Sequence, residues 1–475
     1  MQPEAGKPPF SAAIIQPEEI TRSRLDPIFY HPKYVSLVRE MESLPHRIES
    51  IGTFSEEPRR GETSGRYVKD GVPILKTLNV RDGELNWTRL SFVEREFYDR
   101  HPEAHLKEDD VLITSTGIGT LGRVSPFIHS YECMVDGHIT VVRVTDLEVD
   151  PYYVVAFLRS PFGQAQVNRS AHGFTGQMEL NKEDVKAIRV PLPKPELQRE
   201  IGSRFKKILL ARDKARRILS QTPQLLPQTL SIAVPTWKPT EPALVSPSEL
   251  RRERLDPTYY HPRHTCLLKI LREGNLKSWE LKKLGDLAAI SEEKRPTIIS
   301  GEFPYVEISN IDIHTGEIAS FTPHTDRSAP NRAQKVIHGR DVILSTTRPY
   351  RGAVAIVPDE LDHAICSTAF TVLTPKSDVN PDALYLYLRS ETTRVQLRHL
   401  SSGSGYPAIT PEWLDEVLVP VEIAIEAKNQ LRRSAEEAFQ SIEERWQTRN
   451  FLEDIDNDLS KTLLVTGQDS SSPDS

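Results

Sequence analysis

Three short stretches carry residue types at spacings that could do chemistry. Gly117-Ile-Gly-Thr-Leu-Gly122 has the spacing of a dinucleotide cradle and follows an apolar run that predicts a strand. Such a cradle needs a helix to begin directly after the glycines, so that backbone N–H groups and the helix dipole face the phosphates. Here Arg123-Val-Ser-Pro-Phe127 follows, which predicts another strand and a turn. His101 and His105 stand four apart like ligands on a zinc-binding helix, but Pro102 lies between them and the glutamate is displaced. Lys7-Pro-Pro-Phe10 ends like the catalytic tetrapeptide of amino-methyltransferases but lacks the Asn, Asp or Ser that holds the amine. The sequence contains neither a Walker loop nor a nucleophile elbow. The chain therefore reads as non-catalytic, with no metal and no cofactor of its own.

A second chemistry, reading base edges and gripping phosphates, calls for arginines, amides, hydroxyls and aromatics on loops. Ser115, Thr116 and Arg123 form one such set, and Arg169, His172, Phe174 and Gln177 a second. Further along, Thr346, Thr347, Arg348, Tyr350 and Arg351 answer the first set, and Arg398, Ser402, Ser404 and Tyr406 answer the second. Asn79, Arg81 and Asn310 lie on predicted strand-turn-strand segments. Together these are the candidate contacts to double-stranded DNA. The net charge of −7 requires that any positive potential be local.

The elements that must position these loops come in two copies. Residues 24–32 (RLDPIFYHP) return as residues 254–262 (RLDPTYYHP), an offset of 230. Ordered matches follow: Asn79 and Gly83 with Asn310 and Gly316, Asp110 in DDVLITST with Asp341 in RDVILSTT, and GHITVVRV from Gly137 with STAFTVLT from Ser367. DPYYVVAFLRS and NPDALYLYLRS then read as helices opened by Asp150 or Asn380 before proline. A glycine-containing polar loop closes each series, followed by a strand ending in Val190-Pro191 or Val419-Pro420. Six blocks in one order mean a duplicated module. The nine-residue motif is the best matched of all, and its sameness points to a structural role.

A helical segment trails each copy. Leu197, Ile201, Phe205, Ile208 and Leu219 fall on one stripe, and Leu431, Ala435, Ile442 and Trp446 on another. Residues 194–217 hold nine basic residues against three acidic, and residues 422–458 hold five against ten. Opposite charge beside apolar stripes favours pairing of these helices with each other. The expected architecture is α+β: two repeated mixed α/β recognition domains, each followed by a long helix, the helices paired as an antiparallel coiled coil. The expected boundaries are a disordered tail at 1–17, domains at 18–193 and 249–420, helices at 194–221 and 421–460, a proline-rich linker at 222–248 and a second disordered tail at 461–475. At 475 residues the chain has room for two to four cores. The sequence lacks a signal-like start and an apolar run long enough to span a bilayer, so a cytoplasmic protein without membrane contact is expected. Cys133, Cys266 and Cys366 lack paired spacing and read as small core residues.

With these blocks in view, the chain resembles the specificity subunit of type I restriction-modification systems. The resemblance rests on DVLITSTGIG from Asp110, GHIT from Gly137, FLRS from Phe157 and VPLP…ELQREI from Val190, within a domain order that covers nearly the full length. The second copy departs from it, with Thr347-Arg348-Pro349 in place of the glycines and Val419-Pro-Val-Glu422 in place of the Pro-x-Pro. The resemblance implies a bipartite DNA target, one half read by each domain, with the helices as a ruler. It implies as partners two adenine-methyltransferase (M) subunits that carry S-adenosylmethionine and an ATP- and Mg-dependent translocating nuclease (R) subunit. Two other readings stay open: a DNA-binding or scaffold subunit of another phage-defence assembly, and a nucleotide-dependent enzyme using Gly117 to Gly122.

Overall fold

The computed structural model describes residues 15–17, 20, 27–81, 83–87, 90–117, 119–173, 178–230, 234–235, 245–273, 279–422, 433, 436–443, 446 and 463. The chain divides into two compact units, Met1–Leu210 with Thr448–Ser475, and Ala211–Gln447. Each unit is α+β, and both use the same series of elements.

In the first unit a four-stranded antiparallel sheet runs in the order Arg59–Arg60, Ile139–Val142, Val111–Thr114, Val124–Pro126. A smaller sheet places Val72–Leu75 between Ser91–Val93, antiparallel, and Met134–Val135, parallel. The second unit repeats the larger sheet as Ala288–Ile290, Phe370–Pro375, Val342–Ser345, Val354–Ile356. Its other sheet again pairs a central strand, Phe303–Val306, antiparallel on one side and parallel on the other, and gains the strand Ala333–Ile337 at its edge. Every residue of Val111–Thr114 and of Val342–Ser345 is buried, as their unbroken apolar runs require of strands covered on both faces. Asp110 and Asp341 precede these strands as turn formers, each accepting a backbone N–H, from Lys107 at 2.8 Å and from His338 at 2.9 Å.

The repeated Leu-Arg-Ser tripeptide has a mechanical explanation. Asp150 caps the helix Pro151–Arg159 by accepting from the amides of Tyr152 and Tyr153, and Asn380 caps Pro381–Arg389 by accepting from Ala383. Each helix stops at a serine, Ser160 or Ser390, whose hydroxyl caps the next helix, Pro161–Ser170 or Glu391–Leu400. His31 and His261 begin the helices Pro32–Glu42 and Pro262–Glu273 in the same way, each ring Nδ1 accepting the amide two residues on.

The trailing helix differs from expectation. It runs as Pro195–Leu230, past the predicted stop at 221 and through Pro223 and Pro227. Its stripe is also absorbed in part by the units: Ile201, Phe205 and Ile208 join the core of the first, and Leu219 that of the second. Leu197 packs partly buried against the first core. Residues 436–443 are helical, and Ala438, Ile442 and Trp446 enter the core cluster that holds Leu219. Leu431 and Ala435 lie outside the described residues, as do residues 1–14 and 464–475, where tails were expected. Cys133 and Cys366 are buried, but Cys266 is exposed on the helix Pro262–Glu273 and is no core residue. No helix among the described residues is long and apolar enough to cross a membrane.

Candidate nucleic-acid interface

The two loop sets of each copy, far apart in sequence, meet at one edge of the larger sheet. In the first unit, Thr116 bridges to Glu179, which bridges in turn to His172. Leu180 N–H donates to Ser115 O at 2.9 Å and Gly117 N–H to Met178 O at 3.2 Å. Thr116 Oγ1 lies 2.9 Å from His138 Nδ1, His172 Nε2 lies 2.6 Å from Asp184, and Arg123 donates to Gly119 O at 2.8 Å. The glycines of the tempting motif thus form a loop knitted to its neighbour, and the chain passes straight into the strand Val124–Pro126.

The second unit reproduces this knot with different side chains. Thr347 bridges to Ala408, and Ala408 to Ser402. Arg348 N–H donates to Pro407 O at 2.7 Å and Ile409 N–H to Thr346 O at 3.0 Å. Arg348 adopts a left-handed backbone, φ 48°, donates to Gly405 O at 2.9 Å and lies 4.2 Å from the Tyr406 ring centre. Arg398 lies 4.4 Å from the Tyr350 ring centre. Arg351, Ser402, Ser404 and Tyr406 are exposed, Tyr406 at 73%. Guanidinium groups held against rings in this way present planar cationic faces, a chemistry that can stack on bases and pair with phosphates.

Several expected contacts are not available for DNA. Asn79 is fully buried, its amide accepting from Lys76 N–H at 2.9 Å and donating to Asn86 O at 2.8 Å. Asn310 does the same work, accepting from Glu307 N–H and donating to Ser320 Oγ, so both are hairpin formers. Ser115 is buried against Thr140, and the Thr346 hydroxyl donates to Ala369 O. Arg169 lies over Phe29 at 4.5 Å, the place where His399 stacks on Tyr259 in the second unit. Arg81 is exposed at the tip of its hairpin, whose Gly83 N–H donates to Val124 O, next in chain to Arg123. Phe174 and Gln177 lie outside the described residues.

Sequence reasoning missed Arg394, which donates to Tyr350 O at 3.1 Å and Arg351 O at 3.4 Å. Its position four residues before Arg398 on a helix puts both on one face, a signal that was legible. It also missed Arg60, which reaches Glu179 at 2.6 Å through strand pairing that no pattern displays. His101 and His105 do not converge. His101 meets Glu103 at 3.1 Å, while His105 stacks on Tyr98 and bonds to its carbonyl.

The nine-residue motif supports the edge from behind. Arg254, 4% exposed, donates to His399 O at 3.0 Å, Leu400 O at 2.8 Å and Ser401 O at 2.9 Å, capping the helix that leads into the loop 401–408. His399 bonds to Tyr259 O at 2.7 Å and His264 to Thr258 O at 2.9 Å. Burial holds His264 down at about 4, and burial together with His264 nearby holds His399 down at about 3. Both rings stay neutral in the fold and charge on unfolding, so below the ordinary histidine value the unfolded chain binds more protons and stability falls with pH. The second unit is expected to lose about 2–4 kcal/mol between pH 7 and pH 5, read as a falling urea midpoint. His399→Gln should flatten that slope, and an unchanged slope contradicts the assignment.

Comparison with known proteins gives the family. The family described as type I restriction modification DNA specificity domain matches residues 47–219 and again 277–428. The chain is 24% identical over 149 residues to the type I restriction enzyme EcoBI specificity subunit of Escherichia coli, covering 31% of each chain. It is 26% identical over 168 residues to the HindI specificity subunit of Haemophilus influenzae, covering 31% of this chain and 33% of that one. These two matches therefore span about a third of either relative. A longer match, 21% identical over 364 residues and 74% of this chain against 77% of the other, is to the putative MjaX specificity subunit of Methanocaldococcus jannaschii. Among solved structures, the type I restriction-modification S subunit from M. genitalium aligns over 91% of this chain and 97% of its own with a TM-score of 0.45 and 15% identity.

Proposed function

Because the chain belongs to the type I restriction-modification DNA specificity family, we propose that it reads a bipartite DNA target, each unit contacting one half-site through its knitted edge. The observation that carries this is the repeated knot. Thr116, Glu179 and His172 are joined as Thr347, Ala408 and Ser402 are, while the side chains displayed differ. One framework holding two different surfaces is what two readers of unlike half-sites require.

The chain supplies recognition, and chemistry belongs to partners: two adenine-methyltransferase subunits that carry S-adenosylmethionine, and an ATP- and Mg-dependent translocating nuclease subunit. The trailing helices pair antiparallel and set the half-site separation. Two clusters support that direction. Leu219 shares a core with Ala438, Ile442 and Trp446, and Ile201, Phe205 and Ile208 share one with Leu463. The later residue of the first helix thus goes with Ala438, Ile442 and Trp446, and its earlier residues with Leu463, further along the chain.

Co-produced with adenine-methyltransferase subunits, the chain is expected to direct methylation to a single split sequence, mapped by single-molecule sequencing. Methylation at a continuous sequence, or scattered without pattern, contradicts the proposal.

A further inference from the structure

We propose that His338, Asp362 and His363 bind a divalent transition-metal ion of the zinc class, which staples one end of the second unit's sheet around Phe303–Val306. This site is independent of what the chain reads on DNA.

The strands Ala333–Ile337 and Ala364–Ser367 pair antiparallel, and their ladder ends with Ile337 opposite Ala364. His338 comes directly after Ile337 and His363 directly before Ala364, so the two rings leave the ladder side by side. Their centres stand 4.8 Å apart. Asp362 reaches both: Oδ1 is 3.1 Å from His338 Nδ1, and Oδ2 is 3.4 Å from His363 Nε2. One nitrogen from each ring and one carboxylate oxygen all fall within 4.8 Å of one another. Donors bound at about 2.1 Å around a tetrahedral ion stand roughly 3.4 Å apart, close to the two shorter separations. An ion entering here replaces the protons now shared among the three groups, which pass to solvent. Two imidazoles and a carboxylate suit zinc, nickel or cobalt, whereas calcium and magnesium take cages of oxygen.

The surroundings hold these donors in place. His338 Nε2 lies 3.0 Å from Glu293 Oε2, which leaves Nδ1 for the ion; a carboxylate on the far nitrogen fixes the tautomer and direction of a metal-bound imidazole. Gly339 N–H donates to Asp362 Oδ1 at 3.1 Å and orients the carboxylate. His363 has φ 62°, a left-handed backbone that is costly for a residue with a Cβ, and this turn sets its ring beside Asp362. Asp362 and His363 are exposed, so an ion has a way in. By the same strand pairing, the first unit carries Lys107, Tyr131 and Glu132 at the matching places, so the set is particular to the second unit. On either side of the site the chain meets the helical segment 436–443. Arg340 lies 3.6 Å from the ring centre of Phe439, and Asp359 N–H donates to Glu443 Oε1 at 3.3 Å. An ion that joins residue 338 to residues 362 and 363 therefore steadies the seat of that helix on the sheet.

The full-length chain, stripped of metal with a chelator, is titrated with Zn2+ by calorimetry beside His363→Asn, His338→Gln and Glu293→Ala. Asparagine tolerates a left-handed backbone, so His363→Asn removes a ring and keeps the turn. Wild type is expected to bind one equivalent of Zn2+ more than either histidine variant, and Glu293→Ala to bind that equivalent about tenfold more weakly. With free Zn2+ at about a hundred times the dissociation constant, the folded-to-unfolded ratio of the second unit in urea should rise about a hundredfold in wild type, and His363→Asn should not follow. Equal Zn2+ stoichiometry and affinity in wild type and both histidine variants overturn the site, as does a wild type that binds no Zn2+. Displacement of the ion by an equal concentration of Ca2+ overturns the metal class. Binding without the gain in stability overturns the staple.

Discussion

Arg254→Met is expected to destabilise the second unit by about 3–5 kcal/mol, the largest single-residue effect the structure implies. The guanidinium is buried, donates to three successive carbonyls at the end of the helix Glu391–Leu400, and pairs with Asp256 at 2.9 Å. It is also held over the rings of Tyr259 and Trp413, 4.4 and 5.0 Å from their centres. Methionine fills much of the volume but leaves those carbonyls unpaired at the negative end of the helix. Arg254→Lys should recover only part of the loss, since a single ammonium cannot match a planar fork. Urea unfolding of the full chain measures this, and a loss below about 1 kcal/mol contradicts the capping role. Because this helix delivers the loop 401–408, the variant should also weaken discrimination at the second half-site before it unfolds.

The second large effect concerns the edge itself. Arg348→Ala combined with Arg398→Ala is expected to weaken DNA binding by the assembled complex about a hundredfold or more and to relax sequence choice at one half-site only. Neither arginine holds the core. Arg348 donates to a loop carbonyl and stacks on Tyr406, and Arg398 stacks on Tyr350, so the melting temperature should hardly move. Loss of affinity with unchanged stability separates a reading role from a structural one. Removing Tyr406 alone, exposed as it is, should give a smaller loss in the same direction.

Much of the framework was legible because it depends on local chemistry. Asp150 and Asn380 before proline predicted helix starts, and both cap as expected. The apolar runs after Asp110 and Asp341 predicted strands that are buried throughout. The errors fall where a distant contact decides. Pro223 and Pro227 read as a stop, yet the helix continues to Leu230, and Arg389, from a segment far along the chain, donates to the carbonyl of Leu219 within it. Asn79 and Asn310 read as candidate DNA contacts, although their sameness in both copies points to framework, as it does for the RLDP motif. The meeting of Thr116 with Glu179, and of Thr347 with Ala408, depends on pairing between segments some sixty residues apart, which periodicity does not record. The two loop sets were recognisable as one chemistry; that they form one edge was not.

In the proposed function each unit reads its own half-site through its knitted edge. That reading is tested most directly by mapping methylated adenines, with partner subunits present, for a chain whose residues 346–351 and 401–408 are exchanged for those of a homologous chain with a different target. The second half of the split sequence is expected to change while the first half and the spacing stay as they were. An unchanged second half, or a change in the first, contradicts it.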